Sequence, residues 1–128
     1  AGPMFNYIAR LLIEPGKAGD ELFARLVAST RQNLAEGRES GSIKPASDPD
    51  ATAMLVTVFG LAQFLVRDRF AQVLGADPFS AEGAARLTLP TLEIFTDGLY
   101  ADTGLLAAAR SALAGQQDAA SDEGKEEK

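Results

Sequence analysis

Ser29 and Thr30 place two hydroxyls side by side in a segment with helical spacing. A hydroxyl becomes a nucleophile only beside a group that takes its proton. The chain has no histidine and no cysteine, so the usual general base, the commonest metal ligand, the thiolate and the disulfide are all absent. The remaining candidates are carboxylates: Glu14, Asp20, Glu21, Glu36 and Glu39. They fall on wet helix faces and at helix ends, and make neither a metal-ligand cluster nor an acid/base pair. The residue types therefore argue against an enzyme, and no cofactor, metal or catalytic residue is expected.

What remains is binding chemistry. Phe5, Tyr7, Ile8, Phe23, Val27, Thr30, Met54, Val58 and Leu61 form a mostly apolar set with two polar handles, Tyr7 and Thr30. That composition suits a pocket for a small apolar molecule between the first three helices. The same residues at helical spacing are more often ordinary core than pocket.

The elements that must hold them are helical. The chain of 128 residues reads as one all-α domain, a bundle of about five helices with no strand. The first helix opens at Pro3 and stops at Pro15-Gly16. The second runs from about Ala18 to Arg38, with Leu22, Phe23, Leu26, Val27, Thr30 and Leu34 as its apolar stripe. Asp48, Pro49 and Asp50 open the third, which reads as one rod to Gly75. Ser80 caps the fourth, which continues to about Tyr100 with Pro90 as a kink. A short Ala-rich helix follows from Thr103 to about Leu113. The domain is expected to span 1–114, and the acidic segment 115–128 to be a disordered tail.

The third helix is apolar almost all the way round. Ala53, Thr57, Gly60 and Phe64 share one face; Met54, Val58, Leu61 and Leu65 a second; Leu55, Phe59, Ala62 and Val66 a third. A helix of this kind is buried on every side, which one small subunit achieves with difficulty. The fourth helix is apolar over about half its circumference. A symmetric homodimer completes both at least cost. The dimer face reads as Ala53, Thr57, Gly60, Phe64 and Arg67 on the third helix, with Thr88, Thr91, Leu92, Phe95 and Gly98 on the fourth. Gln63 and Arg67 either pair across the two-fold axis with Asp68 or Glu93, or form a solvated edge.

The formal charge is −6, and no basic stripe is present, so this segment is not expected to bind nucleic acid itself. No run has the length of a membrane span and no signal peptide is read. The default compartment is the cytoplasm.

The stretch NLAEGRESGSIKPASDPDATAMLVTVFGL, from Asn33 to Leu61, and the segment from Val73 to Gly104 resemble the C-terminal regulatory domain of tetracycline-repressor (TetR) family transcriptional regulators. The connection Gly41-Ser42-Ile43-Lys44-Pro45-Ala46-Ser47-Asp48-Pro49 matches the family's entry into a long helix, and Gly98-Leu99 its closing step. The resemblance covers about Pro3 to Leu113. It implies a homodimer built on the last two long helices and a small, usually apolar effector bound among the regulatory helices. It also implies operator DNA contacted only through an N-terminal helix-turn-helix domain. No such motif stands in this sequence, so the chain is expected to be the regulatory part of a longer regulator, with repression the family's habit. The competing reading is a helical protein–protein interaction module whose apolar face takes another protein.

Overall fold

A computed structural model of the chain describes residues 2–126. They form six helices: α1 (Gly2–Ile13), α2 (Lys17–Ser40), α3 (Pro49–Leu65), α4 (Arg67–Leu74), α5 (Ala81–Asp97) and α6 (Gly104–Glu126). No strand occurs among the described residues, in agreement with the all-α class read from periodicity. The chain divides into two units within α5, at Ala84 and Ala85.

In the first unit α2 packs on α1 and on α3. The entry to α3 follows its local signals. The Asp48 carboxylate accepts from the Ala51 N–H at 3.0 Å, and Pro49 occupies the first turn, where no N–H is needed. Arg31 of α2 reaches Asp50 at 3.3 Å and ties this end of α3 to α2.

The α2–α3 contact is made by small residues. Ala53 is fully enclosed and Thr57 is 8% exposed. The Thr57 hydroxyl lies 2.7 Å from the Ala53 carbonyl and 2.8 Å from the Thr30 hydroxyl, and Thr30 donates to the Leu26 carbonyl at 3.0 Å. The single Thr57 proton serves one of its two acceptors at a time, and no polar atom is stranded. Replacing Thr57 by valine keeps the volume and removes one hydrogen-bonding group. Urea unfolding should show a loss of about 1 kcal/mol.

The single rod expected from Asp48 to Gly75 is broken. α3 ends at Leu65, and α4 leaves it at 75°. Val66 is the joint: its φ of −110° and ψ of 27° lie outside the helical region, and its carbonyl accepts from Phe70 to start α4. Turning there brings Arg67 to Asp77 in the loop after α4, a contact that a straight helix would forgo. Among the described residues no single helix is long and apolar enough to cross a membrane; α3 and α4 reach the length only as this bent pair.

α5 starts as its sequence suggests, with the Ser80 hydroxyl accepting from the Gly83 N–H at 3.1 Å. It runs through Pro90 and stops at Asp97, short of the Tyr100 end read from sequence. Gly98 has φ of 82°, the left-handed region that ends helices and favours glycine. Its role in the fold is a stop signal, and it lies just past the end of α5 rather than on the helix face where the sequence reading put it.

α6 extends to Glu126, whereas the sequence reading ends this helix near Leu113 and makes 115–128 disordered. Every side chain from Gly104 to Gly124 is exposed, so packing does not explain the helix. Its support is local: Ala107, Ala108, Ala109, Ala112, Ala114, Ala119 and Ala120 are the best helix formers. Glu127 and Lys128, the end of that expected tail, lie outside the described residues.

Candidate functional site

The bend at Val66 opens a cleft of about 470 Å³ in the first unit. One wall is α1, through Gly2, Phe5, Asn6 and Ala9; the other is the α3–α4 corner from Phe64 to Arg69. The volume lies in the range of about 300–1,000 Å³ common for small-molecule sites.

Behind the cleft is an aromatic cluster built around one cation. Phe5 and Phe64 have ring centroids 5.1 Å apart, and Phe79 lies 6.4 Å from Phe5 and 6.3 Å from Phe64. The Arg67 guanidinium stands 4.9 Å from the Phe5 ring centre and 5.7 Å from that of Phe79, within cation–π range. It also forks onto Asp77, with Nε 3.1 and 3.0 Å from the two carboxylate oxygens and the Nη2 atom on Oδ2. A planar guanidinium suits this arrangement because its edge pairs with a carboxylate while its faces stay free for rings.

The hydrogen bond from Arg67 holds the Asp77 carboxyl below its ordinary pKa, and the Phe79 N–H adds to the effect at 2.9 Å while burial opposes it. The same hydrogen bond raises the Arg67 pKa, with smaller contributions from the charges of Asp77 and Asp68. A depressed carboxyl stabilises the fold above the unfolded-chain pKa, near about 4, and loses that contribution as pH falls through the lower folded value. Asp77→Asn should therefore unfold several degrees below the parent at neutral pH. In thermal melts the gap should close as pH falls below the ordinary carboxylate range.

The structure scatters the sequence-read pocket. Phe5 alone lines the cleft. Ile8, Phe23, Val27, Thr30 and Leu61 are half-buried, with Thr30 engaged by Thr57. Tyr7, Met54 and Val58 are exposed. The dimer face divides in the same way. Ala53 and Thr57 are enclosed by their own chain and inaccessible to a second subunit. Phe64 sits in the aromatic cluster, and Arg67 pairs with Asp77 of its own chain. Gly60 remains exposed on α3. On α5, Thr88, Leu92, Phe95 and Gly98 are exposed and Thr91 is half-buried.

The open face of α3 is instead Met54, Leu55 and Val58, with Leu55 72% exposed, and Val66 at the joint is exposed as well. Sequence reading also missed Arg67, Asp77 and Phe79 as a unit. The available signal was the charged triplet Arg67-Asp68-Arg69, which interrupts the apolar run where the helix breaks.

Comparison with known proteins places these features in a family. Residues 1–101 match the model of the tetracyclin repressor-like C-terminal domain. A curated protein, the HTH-type transcriptional regulatory protein RaaS of Mycobacterium tuberculosis, is 28% identical over 108 residues. The match covers 80% of this chain and 49% of that relative, so the chain spans about half the relative's length. No solved structure matches. With six helices among the described residues and a family match running from α1 past the end of α5, the chain belongs to the tetracyclin repressor-like C-terminal domain family.

Proposed function

We propose that this chain is the ligand-responsive, dimeric regulatory domain of a TetR-like transcriptional repressor acting in the cytoplasm. Operator DNA is contacted by a helix-turn-helix domain outside this sequence, and a small effector bound by the regulatory helices controls that contact. The relative's name supports the transcriptional role, and the acidic charge of −6 agrees with DNA being read elsewhere.

The observation that carries the reading is the open apolar face of α3. Met54, Leu55 and Val58 lie together on a helix that is already packed on its other side. A contiguous apolar face of this size on one chain marks an association surface. Light scattering on a size-exclusion column at low micromolar concentration tests it. A mass near twice 13.4 kDa supports the dimer, and a monomer moves the face to a different protein partner. The cleft beside Phe5 supports the effector half of the reading, because it joins α1 to the α3–α4 corner and a molecule seated there touches both.

A further inference from the structure

Charge in the cleft is unevenly satisfied. Arg67 is paired with Asp77, and the Asp68 carboxylate in the same lining acts only weakly on Arg67 and has no ion pair or hydrogen bond of its own among the described residues. Arg69, on the same wall, has neither an ion pair nor a hydrogen-bond partner among the described residues. The rest of the lining offers ring faces and aliphatic surface from Phe5, Ala9, Phe64 and Val66, with the Asn6 amide at the side. A ligand complementary to this surface has a flat apolar body and one negative charge. A dianion such as a phosphate ester would need more donors than the one unpaired guanidinium supplies and would be repelled by the adjacent Asp68 carboxylate. A neutral hydrocarbon would leave Arg69 unused.

We propose that the cleft binds a small aromatic carboxylate, its ring against Phe5 and Phe64 and its carboxylate on Arg69. The assignment rests on the effector reading above and names the class of molecule that serves it. The net charge of −6 disfavours anions over the surface at large, so an anion preference at this cleft is a local signature of Arg69.

The test uses the full chain with 2-naphthoate, 2-naphthamide and octanoate as probes, read by calorimetry and by backbone amide shifts at Phe5, Ala9 and Val66. 2-Naphthoate should bind at least about tenfold more tightly than the isosteric amide, with the shifts centred on those residues. Arg69→Gln should erase that ratio, while Arg110→Gln, an exposed cation on α6, should leave it intact. An amide that binds as well as the acid, or a ratio that survives Arg69→Gln, overturns the anion assignment. Octanoate matching naphthoate overturns the aromatic one. In each of those cases the shifts at the cleft still stand and the effector reading survives. Silence at the cleft from all three probes overturns the proposal, and the effector reading falls as well only if a neutral fragment mixture is also silent there.

Discussion

Gly83→Ala is expected to destabilise the fold by about 2–4 kcal/mol in urea unfolding, although the same change in a helix usually stabilises by about 1 kcal/mol. The reason for the reversed sign is what lies against Gly83. A Cβ built there would overlap the Asp77 carbonyl group and the Pro78 Cα. All of these are backbone atoms, so no side-chain rotation relieves the contact. The first turn of α5 would have to move away from the 77–78 corner, and the Ser80 cap on the Gly83 N–H would move with it. Asp77 is also the partner of Arg67, so the displacement reaches the wall of the cleft.

Gly60→Ala gives the opposite control. Gly60 is inside α3 and nothing lies within 4 Å of the position its Cβ would take. The single chain therefore expects a gain of about 0.5–1 kcal/mol from restricting the unfolded state. A loss at Gly60 would mean that a second subunit's atoms approach it, which a repeat at low concentration would show by restoring the gain.

The second large effect concerns association. If the proposed dimer forms, Leu55→Asp on α3 and Phe95→Asp on α5 should each raise its dissociation constant by about 100-fold or more, because two-fold symmetry buries the new carboxylate twice without a partner. Leu55 is 72% exposed in the single chain, so for Leu55→Asp the helical circular dichroism should change little. Sedimentation equilibrium should show the mass falling from twice 13.4 kDa toward 13.4 kDa. Variants that stay dimeric would place the interface elsewhere. Ala53→Leu separates the two faces of α3: it is expected to lower the unfolding free energy by about 1–3 kcal/mol through overpacking against α2. The sequence reading had assigned Ala53 to the dimer face.

The candidate site was legible only in part. Phe5 was singled out, but the cleft's other wall lies in the stretch read as the middle of one continuous rod. The Arg67–Asp77 pair spans ten positions, and no helical or strand period connects residues at that spacing. It becomes visible only when the bend at Val66 brings the two ends together.

Helix starts and stops are written locally, in one residue's ability to bond its own neighbours, and the sequence by itself determined most of them: Asp48 and Ser80 as caps and Pro49 in a first turn. It also determined the all-α class and the family, whose model matches residues 1–101. Which side of α3 faces inward was decided by tertiary structure. Its faces are nearly equal in hydropathy, so periodicity supplies an angle but no direction for the partner. Small residues such as Ala53 and Thr57 suit a close approach to α2 as well as to a second subunit. Packing against α2 settled that choice, because Thr57 meets Thr30 there with its hydroxyl bonded, and the larger residues Met54, Leu55 and Val58 were left outside.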